Sequence, residues 1–286
     1  MPSWLGLVVA SVYGLVVGSF LNVCIWRFPR DESIVKPPSH CPNCNTQLRT
    51  RDLVPLISFL IQRRKCRYCG VPISWRYFSI ELLTGVYFAV VYWRIMMVPH
   101  AVPYSGDGWV DTAVFALFGA CLIAVFFIDL EHYIIPDQLN LFGIGLGIAY
   151  NIYRIVTKQT DWKTSILGKS IPLPESVVGI LICGVAFLAV AIISYYILRK
   201  EAMGGGDIKL AAAMGAVFGV QWAMASFFIA IFLGAVVGIA LMIKGRKGRK
   251  DYVPFGPFMV VGALAVIFFG DGINHLWNMY LRYAGL

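Results

Sequence analysis

The chain has 286 residues, 59% hydrophobic and 14% charged, with mean hydropathy +0.73 and a formal net charge of +9. That apolar excess lies far above globular composition and excludes a soluble domain. The positive charge is concentrated in a few loops, where it sets membrane topology, so nucleic-acid binding is not the expected function.

Runs of the length that spans a bilayer recur along the chain. The expected architecture is an all-α polytopic membrane protein of about eight transmembrane helices. The spans fall near 3–26, 79–97, 110–128, 139–156, 175–198, 208–220, 222–243 and 254–270, with no internal repeat. The first run is too long for a signal-peptide core and has no basic start, so 1–26 is read as a retained first helix. The polar segment 27–78 follows, then a membrane core over 79–286. Segment 27–78 carries ten Lys/Arg against three acids, an excess of +7, and is expected in the cytoplasm. The loop 98–109 has no Lys or Arg, as an outer loop should, and 244–250 is strongly basic and expected inside. Arg154, Lys158, Lys163 and Lys169 fall on the nominal outer side, against this scheme; the two stronger basic loops outweigh them.

Within 27–78, Cys41 and Cys44 form one CxxC pair and Cys66 and Cys69 another, 21 residues apart. Two such knuckles supply the four thiolates of tetrahedral zinc. The alternative is a pair of disulfides, which requires an oxidising compartment that the loop's charge argues against. Zn2+ ligated by Cys41, Cys44, Cys66 and Cys69 is expected, and a metal explains how so short a loop folds. Cys24, Cys121 and Cys183 lie in apolar runs and read as small buried residues.

Asp129 closes one apolar run and Asp207 follows Gly204, Gly205 and Gly206 at the start of another. A carboxylate at the edge of hydrocarbon is costly and marks function by default. Counting spans puts both at the inner boundary, where two carboxylates sharing a proton and a water make an aspartic protease. Gly204 and Gly206 let backbone or a peptide approach closely. Asp137, after Pro136, reads as a helix N-cap. Glu131 and His132 read as solvated interfacial groups; the plainer alternatives for Asp207 are a cap on the sixth helix and a simple pair with Lys209.

Several blocks in this order resemble the type IV prepilin peptidases. They are GlySerPheLeuAsnValCysIleTrpArgPhePro (18–29), both CxxC pairs, ProIleSerTrpArgTyr with Glu81, AspLeuGluHisTyrIleIleProAsp (129–137), GlyGlyGlyAspIleLys (204–209) and ProPheGlyProPhe (254–258). The resemblance implies a bifunctional leader peptidase and N-methyltransferase of the bacterial inner membrane, with Asp129 and Asp207 catalytic at the cytoplasmic face. It further implies type IV prepilin or pseudopilin substrates and S-adenosylmethionine as methyl donor, with segment 27–78 contributing the donor site and Lys65 a candidate in it. One departure is Arg64, where the family commonly has glycine ahead of the lysine and third cysteine. Three other readings are weighed, one of them a membrane scaffold for pilus assembly without catalysis, which would tolerate Asp→Asn at both sites. Another GxGD intramembrane protease has no reason to carry the cysteine loop. A transporter with a zinc-bearing loop would hold its carboxylates near mid-membrane.

Overall fold

The structure is a computed structural model describing residues 3–98, 107–166, 169–199, 203–243 and 253–284. The heart of the expected outer loop (99–106) and the basic segment 244–250 lie outside the described residues. The chain forms helices α1 (Ser3–Arg27), α2 (Ile57–Ile61), α3 (Trp75–Met96), α4 (Gly108–His132), α5 (Asp137–Val156), α6 (Glu175–Leu198), α7 (Gly205–Ile243) and α8 (Gly256–Ala284). A small antiparallel hairpin, β1 (Thr164–Ile166) and β2 (Lys169–Ile171), pairs Ser165 with Ser170 between α5 and α6. Among the described residues, all the helices but α2 are long and apolar enough to cross a membrane, seven in number.

Helix α4 forms the centre. Its side chains are buried almost continuously from Val114 to Asp129, while the other long helices keep one side open to lipid. Around it α3, α5 and α8 pack directly; α1 lies mainly on α3, and α6 and α7 complete the bundle beside α5 and α8. Aromatic rings lock the middle: Phe218 stacks on Phe115 at 6.0 Å and meets Phe118 edge-on at 5.4 Å.

Helix α7 is where the sequence's two short spans, 208–220 and 222–243, are resolved. A straight helix of its 39 residues would be roughly 58 Å long, almost twice the roughly 30 Å hydrocarbon core. It does not run straight, because Gly219 adopts φ 72 and ψ 177, a backbone state open essentially to glycine alone. Before the break, the limb packs on α5 and α6: an added Cβ at Gly147 would strike Ala216, and one at Gly179 would strike Gly215. After it, Ser226 lies on Gly262, and Gly234 lies beside Phe255 and Phe258. Phe255 directly precedes α8, whose first residue packs on the same Ile135 as Gly206. The chain thus returns to the level from which α7 set out. Eight apolar crossings are therefore made by seven helices, as the hydropathy pattern predicts.

Of the four basic residues on the nominal outer side, Arg154 has a local explanation. Arg154 pairs with Glu175 at 3.2 Å and lies over the Tyr150 ring, so its charge is neutralised where α5 ends and α6 begins. The cysteine unit sits on the opposite end of the bundle. Arg76, at the start of α3, pairs with Glu131 at the end of α4 at 2.5 Å, which puts that unit and Asp129 on one face.

Candidate active site and cysteine centre

Asp129 stands in the last turn of α4. The helix ends at Tyr133, in left-handed conformation with φ 58, whose N–H returns to the Asp129 carbonyl at 3.0 Å. Asp207 stands in the first turn of α7, its Oδ2 accepting from the Gly204 N–H at 3.2 Å. Both carboxylates are buried, 4% and 5% exposed. The α8 N-terminus supplies a third side: the Gly256 N–H donates to Asp129 Oδ2 at 3.0 Å. The N-terminal ends of α7 and α8 thus converge on the pair, and their positive dipole ends offset part of the cost of holding carboxylates away from water.

Beside both acids lies Ile135, from the short loop joining α4 to α5. It packs on Gly206 on one side and Gly256 on the other; a Cβ at Gly206 would come to 2.9 Å of its Cβ. Asn140, on the first turns of α5, donates to the Gly206 carbonyl at 3.5 Å. Gly204 approaches the Asp207 carboxylate itself. The sequence assigned no role to Gly256 or Ile135; the ProPheGlyProPhe block at 254–258 was the signal, because a glycine just ahead of a helix-starting proline marks a close backbone approach.

Three neighbouring groups differ from expectation. Asp137 is not an N-cap: Pro136 occupies that position, and the Asp137 carboxylate takes Lys209 Nζ on both oxygens at 2.7 Å. Lys209 accordingly pairs with Asp137 and not with Asp207; it reaches across from α7 to α5 where both groups are in water. Glu131 is not merely solvated, since Arg76 holds it.

In the cysteine unit, Cys41, Cys44, Cys66 and Cys69 gather with their sulfurs within 4.8 Å of one another, and none is in a disulfide. Each pair sits in the same turn. The Cys41 N–H reaches the Thr46 carbonyl and the Asn45 N–H the Cys41 carbonyl; Cys66 with Val71 and Gly70 with Cys66 repeat that pattern. Asn45 and Gly70, each just after the second cysteine of its pair, are both left-handed at φ 54 and 75. The bridges His40–Gln47 and Lys65–Pro72 complete two copies offset by 25 positions, a structural repeat unseen in the sequence. Burial pushes the Cys41 thiol up to about 11, whereas the Thr46 hydroxyl and amide pull Cys44 down to about 6. Four sulfurs in this arrangement fit a tetrahedral metal ion, which would let all of them ionise together. Asp52 buttresses the unit. Burial alone would raise its carboxyl, but hydrogen bonds from Tyr68, the Arg49 N–H and Arg67 outweigh it and hold the group below the usual range. Lys65 is exposed and engages Pro72 through its backbone. Arg64, the family departure, is left-handed at φ 60, the conformation that glycine occupies at least cost. Cys24, Cys121 and Cys183 are free and buried, as expected.

The chain matches two family models in sequence order: the bacterial peptidase A24 N-terminal domain over residues 12–95, and the type IV leader peptidase family over 116–239. It is 30% identical over 273 residues to a prepilin leader peptidase/N-methyltransferase of Bacillus subtilis (strain 168), covering 96% of this chain and 97% of that one. The protein of the same description from Xanthomonas campestris is 33% identical over 99% of this chain and 96% of its own. A type 4 prepilin-like proteins leader peptide-processing enzyme of Escherichia coli O78:H11 is 32% identical over 91% and 93%. No solved structure matches. With identity at that level running through both halves and almost end to end, the chain belongs to the type IV leader peptidase family.

Proposed function

We propose that this chain is a membrane aspartic endopeptidase that removes the cytoplasmic leader of type IV prepilins and pseudopilins, then N-methylates the new N-terminal residue. The observation that carries it is the pair Asp129 and Asp207, both buried and brought to the same end of the bundle by Gly206, Ile135 and Gly256. Both lie in terminal turns, Asp129 in the last of α4 and Asp207 in the first of α7. A transporter reading wants the carboxylates at mid-membrane, so this placement favours the peptidase.

One carboxylate, ionised, takes a proton from water as the oxygen attacks the scissile carbonyl. The other, protonated, hydrogen-bonds the carbonyl oxygen as it gains charge. Collapse of the tetrahedral intermediate breaks the C–N bond, and the leaving amine takes a proton from the pair. A carboxylate pair that works in this way shares its proton and acts as a unit. Gly204 and Gly206 leave room for an extended substrate beside Asp207. The leader is met at the face bearing the +7 excess of segment 27–78, which supports a cytoplasmic site in a multi-pass inner-membrane protein.

For the cysteine unit we assign Zn2+, held by Cys41, Cys44, Cys66 and Cys69 in a structural role. S-adenosylmethionine, when bound, supplies the methyl group for the freed amine.

Processing of a prepilin by the purified protein tests the assignment. Asp129→Asn and Asp207→Asn are each expected to lower cleavage by roughly 10²–10⁴-fold; a wild-type rate from either removes that residue from the chemistry. Asp137→Asn, which breaks only an exposed ion pair, is expected to cost about 0–1 kcal/mol of stability and little rate.

A further inference from the structure

Between the cysteine unit and the adjoining ends of α1 and α3 lies a cavity of about 380 Å³. That volume suits a nucleoside-sized ligand. Its charge runs against its surroundings. Of the ten Lys/Arg in segment 27–78, only Arg27 lines it, and its guanidinium is taken up by the Ser33 and Pro37 carbonyls at 2.7 Å each. Three acids line it, Glu32, Asp52 and Glu81. Asp52 is committed to Arg67 and Tyr68. Glu81 accepts the Leu56 N–H at 2.8 Å and a hydrogen bond from the Ser19 hydroxyl, and Glu32 stands at the exposed edge. The most basic loop of the protein therefore encloses an acidic chamber.

Asn22 forms part of its floor. Only 3% exposed, it donates Nδ2 to the Gly18 and Tyr77 carbonyls at 3.3 and 3.1 Å, while its Oδ1 is buried with no partner. A buried acceptor left open is costly unless something donates to it. Tyr77 and Glu81 are one helical turn apart on α3, and Gly18, one turn before Asn22, packs on the Glu81 backbone. The open amide oxygen and the carboxylate therefore share one wall. Trp26, Phe59 and Tyr77 add flat apolar surface to the same chamber.

Such a cavity selects a small cation that carries hydrogen-bond donors and a planar ring. S-adenosylmethionine has an ammonium, a sulfonium and an adenine. We propose that this cavity is the methyl-donor site of the chain, with Glu81 and Asn22 Oδ1 receiving the donor's ammonium group and the aromatic residues its ring. The proposal rests on the N-methyltransferase reading and gives that activity a location. Lys65 does not line the cavity.

Isothermal titration of S-adenosylmethionine into the full-length protein in detergent, with no pilin present, reads binding apart from transfer. The wild type is expected to bind one equivalent. Glu81→Gln removes a charge while keeping an acceptor for Leu56, and is expected to raise Kd about tenfold or more. Ser58→Phe fills the cavity from α2 without altering a charge and is expected to abolish binding. Both should melt like wild type. If both bind with the wild-type Kd, the donor site lies elsewhere and the methyltransferase reading stands. If the wild type neither binds the donor nor methylates a cleaved pilin, the reading falls and this site with it. Ultraviolet crosslinking of labelled S-adenosylmethionine to the wild type needs no variant. Label on the peptides holding Trp26 or Tyr77 supports the site, and label confined to other segments overturns it.

Discussion

At the scale of single residues, two backbone positions carry more than their side chains suggest. A Cβ at Gly256 would come to 2.5 Å of Asp129 Oδ2, so Gly256→Ala displaces the carboxylate that its own N–H positions. Misplacing a reacting group by about 1 Å costs on the order of 10²-fold in rate. Gly256→Ala is accordingly expected to lower prepilin cleavage by about that factor while the protein remains folded, as steady-state kinetics beside a thermal melt would show. Arg64 is held left-handed, at a cost of about 1–2 kcal/mol for a residue with a Cβ. Its guanidinium recovers little, since it stands 5.8 Å from the Trp75 ring centroid. Arg64→Gly is expected to stabilise the cysteine unit by about 0.5–1 kcal/mol, measurable as slower hydrogen exchange at Cys66 and Ile73.

At the scale of elements, the cysteine unit is a small fold with almost no core. Cys41, Cys66 and Phe59 are its buried apolar residues, far too few to offset the ordering of its backbone. Its two turns are held by backbone hydrogen bonds that recur at a 25-position offset: Leu48 to Ser39 as Ile73 to Arg64, and Cys41 to Thr46 as Cys66 to Val71. Because those bonds are indifferent to side chains, the two copies share little beyond their cysteines, and the repeat is silent in the sequence. On the zinc assignment proposed above, a unit built this way depends on the ion. Chelation is expected to expose four further thiols to alkylation and to open segment 41–73 to proteases, while the far-ultraviolet helical signal of the bundle is retained. Four thiols that stay unreactive after complete metal loss would show that the unit folds without an ion.

At the scale of the whole molecule, the decisive feature is the reversal within α7. Gly219 permits it by its backbone conformation, and the turn presses against Glu175 at the start of α6. The limb before the turn brings Asp207 to the level of Asp129, and the limb after it returns the chain toward α8, whose first residue binds Asp129. Gly219→Val forces a branched side chain into a state that costs about 1–3 kcal/mol and into the Glu175 carboxylate. Melting temperature and prepilin cleavage are both expected to fall, because the site is assembled from α4, α7 and α8 together. Normal cleavage in this variant would show that the reversal survives without glycine.

Hydropathy, charge and the spacing of the two CxxC pairs were enough for the eight apolar runs, the cysteine unit on a basic loop and the two boundary aspartates, since each is a local feature of the chain. The blocks around Asp129 and Asp207 carried the family. Helix N-capping at Asp137, the partner of Lys209 and the anchoring of Glu131 were misread, because each depends on which side chain another helix delivers. Only the tertiary structure decided that Gly256 donates to Asp129, that Ile135 packs on both Gly206 and Gly256 beside the two acids, and that an acidic cavity lies beneath a basic loop. Contacts between residues far apart in the chain are set by packing, and packing leaves no period in the sequence that joins them.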